Sequence, residues 1–396
     1  MPWREEIEQS FQQRKQQNRW RTRKLIESAQ GRTVQLNGQS LLNFCSNDYL
    51  ALANHPSLKQ AAIAATETYG TGSGASHLVC GHQELHHQLE QELATMLGAE
   101  QAVVFSTGYM ANLAVPQTFL GRNDLLLEDK LNHASLLDAG SISAVKMKRY
   151  AHLDLQSVGK SLADSDANRK MVLTDGTFSM DGDVAPVEQL AQLCHQHKSM
   201  LVVDDAHGFG VLGASGAGLL QRENVSVSGN VLIVGTLGKA AGSFGAFIAG
   251  DAVYIQSLIQ FARTYIYTTA LPPAAVAASI EAIKLIQSEP SRRERLKSLI
   301  DRFQDAATEA GLPVMPSQTA IQPIVMGSET NALAADALLR EGGILGIAIR
   351  PPTVPAGLAR IRLTLRADHT DEDMDRLLSA LTSDAFRQLL SAEDAS

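Results

Sequence analysis

The chain has 396 residues, a length that predicts two domains. Apolar residues make up 44% and charged residues 19%, enough for a large buried core and unlike a disordered or fibrous chain. Thirty-four Lys and Arg against 42 Asp and Glu leave a net charge of −8, which argues against broad binding to a nucleic-acid backbone.

The N-terminus, Met1-Pro2-Trp3-Arg4-Glu5-Glu6, has neither the basic start and apolar stretch of a secretory signal nor the acid-poor character of a mitochondrial presequence, so a cytoplasmic protein is expected. Trp3, Ile7 and Phe11 recur at helical spacing in residues 3–24 and predict a helical arm packed by one face. Residues 34–36 and 41–44, separated by Asn37-Gly38, read as a hairpin, because that pair supplies the positive φ angles of a tight turn. Pro56 then opens a helix over 56–69.

Apolar strands alternating with amphipathic helices follow. Strands are expected at 102–105, 125–128, 145–149, 171–174, 200–204, 231–235 and 244–249, with helices at 109–120, 134–142 and 187–197 among them. Near-continuous apolar strands of this kind belong to a mostly parallel sheet covered on both faces. Leu271-Pro272-Pro273 interrupts the chain before an Ala-rich helix. The remainder reads helix 291–310, strand 321–326, helix 331–341, strands 346–349 and 360–365, and helix 370–382. The expected division is an N-terminal arm and hairpin over 1–50, a large domain over 51–275 and a small α+β domain over 276–396. No apolar run approaches the roughly 18 residues that span a bilayer. Cys45, Cys80 and Cys194 are widely spaced and suggest neither a disulfide framework nor a thiolate zinc site.

Ligands of open α/β sheets bind at the carboxyl ends of the strands, so the polar residues there are the candidates. Ser106-Thr107-Gly108-Tyr109 follows the first of these strands, where a glycine at a helix start exposes backbone donors suited to a phosphate. Asp175-Gly176-Thr177-Phe178-Ser179-Met180-Asp181-Gly182, Asp204-Asp205-Ala206-His207-Gly208 and Gly235-Thr236-Leu237-Gly238-Lys239 follow others. Each alone has an ordinary explanation as a loop glycine, a turn cap or a solvated lysine. Together they place a carboxylate at a strand end, a histidine three residues on, and a lysine in a small-residue loop after the next apolar strand. Schiff-base chemistry uses such a lysine, and a carboxylate facing a pyridine nitrogen makes that ring an electron sink.

At these residues the chain resembles the fold type I pyridoxal-phosphate enzymes, and more closely their α-oxoamine synthase branch. The resemblance runs through residues 20–385 and includes Asn43-Phe44-Cys45-Ser46-Asn47-Asp48-Tyr49-Leu50, Tyr69-Gly70-Thr71-Gly72-Ser73-Gly74, Asn132-His133-Ala134-Ser135 and Thr236-Leu237-Gly238-Lys239. Ile349-Arg350-Pro351-Pro352-Thr353-Val354-Pro355-Ala356-Gly357 and Arg360-Ile361-Arg362-Leu363-Thr364-Leu365 are most similar to the members that condense L-alanine with a pimeloyl thioester in biotin biosynthesis. Many relatives carry Glu where this chain has Asp175, and Arg where it has His77, which bears on the acyl entrance.

The resemblance implies pyridoxal 5′-phosphate as cofactor, with Lys239 as its covalent anchor and as the base that removes the amino acid's α-proton. It implies Asp204 on the pyridinium nitrogen, His207 and Ser179 on the phenolic oxygen, and His133 on the ring face. Gly108, Tyr109 and Thr236 would cradle the phosphate, with Thr268 contributed by the second subunit of a homodimer. Asn47 and Arg350 would orient the amino acid's carboxylate, and Arg21 and Thr353 would line the acyl site. The carrier of the acyl group, coenzyme A or acyl carrier protein, stays open, as does a sister reaction using glycine or serine.

Other readings are weaker. Gly70-Thr71-Gly72-Ser73-Gly74-Ala75 follows a helix where a dinucleotide fingerprint must follow a strand, and Lys239 is followed by Ala240 where a P-loop needs Ser or Thr. A non-catalytic relative would be marked by loss of the lysine, which is present. His86-His87 and His195-x-His197, expected on helix surfaces without carboxylate or cysteine company, raise no metal-site expectation.

Overall fold

The computed structural model describes residues 2–391. Its strands are β1 (Thr33–Leu36), β2 (Gln39–Asn43), β3 (Gln101–Phe105), β4 (Leu125–Asp129), β5 (Lys146–Tyr150), β6 (Lys170–Asp175), β7 (Met200–Asp204), β8 (Val231–Thr236), β9 (Ala246–Gly250), β10 (Ile321–Gly327), β11 (Ile344–Leu345), β12 (Ile347–Ile349) and β13 (Ala359–Thr364). The chain forms two compact units, one of residues 48–179 and 183–294, the other of 1–47, 180–182 and 295–396.

The larger unit is built on a seven-stranded sheet in the order β3-β9-β8-β7-β6-β4-β5. All neighbours are parallel except β9, which runs antiparallel to both β3 and β8. Every residue of β9 is buried, as are nearly all of β6, β7 and β8. That burial is why these strands are continuous apolar runs rather than alternating ones. Val103, Leu126, Leu173, Val202, Leu232 and Ile248 form the core under one face with Ala111, Ala114 and Val115 of the helix Gly108–Phe119. Only β5, at the sheet edge, exposes most of its residues.

The smaller unit holds two three-stranded sheets, β1-β2-β11 and β10-β13-β12. Asn37 and Gly38 take φ angles of 52° and 73°, the hairpin turn expected from their identities. Residues 180–182 join this unit because the buried Arg360 bonds the Met180 carbonyl and the Asp181 carboxylate, at 3.1 and 2.8 Å.

Three expectations need correction. The N-terminal helix runs only from Pro2 to Gln16 and buries none of its residues; Trp3 is 79% exposed. It stops where Asn18 turns to a φ of 53° and the following basic residues are drawn to acids, Arg19 to Glu329 and Lys24 to Asp336. The expected division at 275/276 falls instead at 294/295, because the helix Pro273–Ser288 packs on the helices Pro56–Tyr69 and Glu84–Leu97 of the larger unit. The residues before 48 belong with the C-terminal region and form no separate arm unit.

Candidate active site

β3, β8, β7, β6 and β4 run in one direction, so their carboxyl ends share an edge, and that edge collects the expected residues of the larger unit. Asp204 closes β7 and Asp175 closes β6, paired in register. Thr236 closes β8, with Lys239 three residues beyond. Gly108 begins the helix after β3, and His133 caps the helix Ala134–Ile142 after β4.

Lys239 Nζ lies 2.7 Å from Nε2 of His207, whose Nδ1 is 2.5 Å from the Tyr49 hydroxyl. Asp204 is 7% exposed. Its Oδ2 accepts from the Asn112 amide at 2.6 Å and its Oδ1 from the Ala206 N–H at 3.1 Å. The second hydrogen of that amide goes to Ser135 Oγ at 2.9 Å, and Ser135 is 2.7 Å from His133 Nδ1. Since the Ser135 N–H also donates to Nδ1 at 3.3 Å, that nitrogen is an acceptor and a neutral His133 carries its proton on Nε2. A relay of side chains thus connects the carboxylate of β7 to the imidazole after β4. The His133 N–H donates to Asp175 at 2.8 Å, which fixes the ring's backbone.

Burial, with Lys239 nearby, holds the His133 pKa below that of a free imidazole, partly offset by Asp204. Burial and the neighbouring Asp204 push Asp175 well above the carboxylate range, against the His133 N–H and Lys239. Burial also raises Asp205 to about 7, although the Leu219 N–H bonds its carboxylate at 2.6 Å. Asp175 therefore stands beside His133 at this edge, joined to it through the His133 N–H.

Thr236 Oγ1 accepts from the Gly238 N–H at 3.2 Å and donates to the Gly245 carbonyl at 3.1 Å. The Tyr109 hydroxyl donates to Asp138, which raises its pKa. Ser179 is half-buried after β6, and Thr268 is half-buried between the short helix Arg263–Ile266 and the helix Pro273–Ser288.

The remaining expected residues belong to the smaller unit. Arg21 Nη2 bonds Thr353 Oγ1 at 3.3 Å. With Arg350 they line a cavity of about 870 Å³ that also exposes Arg19, Lys24 and Arg340. Burial and the like charge of Arg21 lower the Arg350 pKa, and its guanidinium donates to the Asn18 carbonyl. Asn47 stands apart from that cavity and accepts from Arg362 at 3.2 Å.

Tyr49, Asn112, Ser135 and Asp175 were not named as site residues from the sequence. The one available signal was Asn112, an amide among the apolar residues Ala111, Leu113, Ala114 and Val115.

An amine beside a histidine, a buried and doubly bonded carboxylate, a neutral imidazole and a helix N-terminus converge here. The space beside Gly108 is open, since a side chain there would meet no heavy atom within 4 Å. This donor set fits a phosphorylated pyridine aldehyde. The chain belongs to the aminotransferase class I and II family, whose model matches residues 39–381, and its fold is fold type I.

More particularly, it is 50% identical to the 8-amino-7-oxononanoate synthase of Cellvibrio japonicus, over 94% of both chains. It is 50% identical to that of Methylococcus capsulatus, over 94% of this chain and 96% of the other. Among solved structures it is similar to SPT with the PLP internal aldimine, at 27% identity and a TM-score of 0.89 over 93% of each chain. It is also similar to the 8-amino-7-oxononanoate synthase of Francisella tularensis, at 31% identity and a TM-score of 0.76 over 86% of this chain and 97% of that one. The chain is a pyridoxal-phosphate-dependent acyltransferase of the α-oxoamine synthase branch. No helix among the described residues is long and apolar enough to cross a membrane.

Proposed function

We propose that the chain condenses L-alanine with a pimeloyl thioester, giving 8-amino-7-oxononanoate, carbon dioxide and the free carrier thiol, as a cytoplasmic homodimer serving biotin biosynthesis. The observation that carries the chemistry is the placement of Lys239, 2.7 Å from His207, on the sheet edge that also bears Asp204 and His133. The choice of substrates is supported by the 349–365 segment and by the names of the curated relatives.

Lys239 would hold pyridoxal 5′-phosphate covalently and Asp204 would face its ring nitrogen. His207 and Ser179 would bond its phenolic oxygen, and His133 would lie on its face. Gly108, Tyr109 and Thr236 would hold the phosphate, with Thr268 of the second subunit. When bound, the protonated ring supplies an electron sink for the negative charge that develops on the α-carbon. The chain's own contribution is to place and retain charge. Asn112 and the Ala206 N–H hold the Asp204 carboxylate in one orientation, so its stabilisation of developing charge needs no reorganisation. His207 accepts a proton from Nζ of Lys239 or returns one, which suits the lysine to move a proton at the α-carbon. Asn47 and Arg350 would receive the amino acid's carboxylate, and Arg21 and Thr353 the acyl chain.

The likeness to SPT supports a second reading, a sister synthase that uses serine or glycine. Incubating the purified protein with each pairing of amino acid and acyl thioester, on coenzyme A and on acyl carrier protein, decides between them. Carbon dioxide and 8-amino-7-oxononanoate from alanine and the pimeloyl donor are expected. Faster turnover of glycine or serine with another donor would replace the assignment.

A further inference from the structure

Beside β3, the larger unit gathers His77, His82, His86, His87 and Glu90. The turn His77–Gly81 leads through His82 and Gln83 into the helix Glu84–Leu97. His87 and Glu90 are three residues apart on that helix and so share a face. His86-His87 are expected from the sequence to lack carboxylate company; the helix supplies Glu90 a turn later, and His86 itself is buried rather than on the surface.

Ligand atoms of His82, His87 and Glu90 all lie within 4.8 Å of one another, with His82 Nε2 3.9 Å from Glu90 Oε2. Ligand atoms about one tetrahedral zinc ion stand about 3.4 Å apart for bond lengths near 2.1 Å. Rotations that close these separations, by at most roughly 1.4 Å, therefore complete a coordination sphere. The contacts of Glu90 and His82 favour it, and His87, whose Nε2 lies 2.9 Å from the Gln91 amide, must offer Nδ1 or leave that bond. Glu90 Oε1 accepts from the Val104 N–H at 3.1 Å, which leaves Oε2 on the His82 side. Nδ1 of His82 is 2.9 Å from Nδ1 of His77; when His82 donates in that bond, its Nε2 presents a lone pair toward Glu90. His86 is excluded as a ligand, because its Nε2 bonds the Leu271 carbonyl at 2.9 Å and its Nδ1 accepts from the Gln83 N–H at 3.0 Å.

We propose that His82, His87 and Glu90, none of them a residue of the proposed cofactor site, form a binding site for a divalent metal ion of the zinc class. Two imidazoles and a carboxylate suit Zn²⁺, Co²⁺ or Ni²⁺ and disfavour Mg²⁺ and Ca²⁺, which prefer all-oxygen shells. Three protein ligands leave a fourth position for water. The ion fastens the 77–82 turn to the following helix. The same turn is tied on its other side to the segment before the helix Pro273–Ser288, through the Ser76–Thr269 bridge and the bond from the Ala270 N–H to the Ala75 carbonyl at 3.0 Å. An ion that binds only the folded chain raises its thermal stability.

The test is titration of metal-stripped holoenzyme with Zn²⁺ against a chromophoric zinc indicator, followed by thermal melts with and without the ion. One tight equivalent per chain is expected, weakened at least tenfold in His87→Ala and in Glu90→Gln, and unchanged in Cys80→Ser and His195→Ala. Zn²⁺ should raise the Tm of the unmodified protein but not that of His87→Ala, and Mg²⁺ should leave both unchanged. His87 is exposed, so its replacement leaves the fold intact. Absence of a tight equivalent, equal affinity in His87→Ala and Glu90→Gln, or loss of the site in Cys80→Ser would each overturn the proposal.

Discussion

Replacing Asp204 by Asn separates charge from shape at the end of β7. The carboxylate is 7% exposed and accepts two bonds, one from the Asn112 amide at 2.6 Å and one from the Ala206 N–H at 3.1 Å. Asparagine keeps the volume and one acceptor, so the fold should survive, but it removes the negative charge and sets an amide N–H against that of Asn112. A charge-assisted bond is worth about 1.5–3 kcal/mol. The expected loss in kcat/KM is therefore about 10- to 150-fold, before any further loss of transition-state stabilisation. Steady-state rates with alanine and the pimeloyl donor measure it, with far-UV circular dichroism and cofactor retention as checks on folding. Asn112→Ala is the companion variant: it deletes the 2.6 Å bond and keeps the charge, so its loss should be smaller. An Asp204→Asn enzyme with unaltered kcat/KM would refute the electrostatic role. Equal losses in the two variants would show that position matters and charge does not.

Lys239→Ala should still bind the cofactor through the other contacts but lose turnover by orders of magnitude, and borohydride treatment of the unmodified protein followed by peptide mapping should place the adduct on Lys239 alone. Sedimentation at assay concentration should give a homodimer, and an active monomer would remove Thr268 from the phosphate site. Arg21→Ala should impair use of the pimeloyl thioester far more than an uncharged thioester of similar length, because the acyl chain's terminal carboxylate would lose its cationic partner; equal losses would assign Arg21 to packing or to the carrier's phosphates. His152 lies 3.1 Å from Asp129 and 2.7 Å from Asp183. Burial alone would lower its pKa, yet the two carboxylates raise it to about 10. A raised folded-state pKa stabilises fully below the unfolded value, near 6.5, and the gain disappears as pH rises through about 10. His152→Gln should therefore cost on the order of 3 kcal/mol near pH 6 and much less near pH 9, so a Tm gap that does not change with pH would contradict the assignment.

Where local chemistry decides the structure, the sequence was enough. Asn37-Gly38 made its turn, Pro56 opened its helix, and the buried runs became the strands whose ends carry Asp204 and Lys239. The strand expected from 244 begins at Ala246 because Gly245 takes a φ of 116°. Contacts between distant segments were not legible. Nothing local says that Asn112 reaches Asp204, 92 residues on, or that Asp175 bonds the N–H of His133, 42 residues before it. The apolar spacing of Trp3, Ile7 and Phe11 gave a helix correctly but not its burial, since periodicity marks a face without naming what covers it. The helix Glu84–Leu97, expected to carry His86 and His87, could not be given its bounds although its capping pair, Gln83 and His86, and its terminal Gly98 are all local. Histidine is not a usual member of a capping box, so the signal did not register.

The electrostatics of the sheet edge follow from its topology. Parallel neighbours β6 and β7 end in register on Asp175 and Asp204, two carboxylates brought together by the backbone. Buried like charges disfavour full ionisation, and here the burden falls on Asp175, which burial and Asp204 push toward its neutral form while the His133 N–H bonds it. His133 is shifted the other way, since burial and Lys239 favour its uncharged ring. Both shifts remove charge from the groups flanking Lys239 and Asp204. In the proposed site a neutral imidazole would lie against a cationic pyridine ring without repelling it, and a neutral Asp175 would leave Asp204 as the carboxylate that faces the ring nitrogen. The relay from Asp204 through Asn112 and Ser135 to His133 fixes the imidazole's tautomer, so the orientation of one residue and the protonation of the other are set by the same amide.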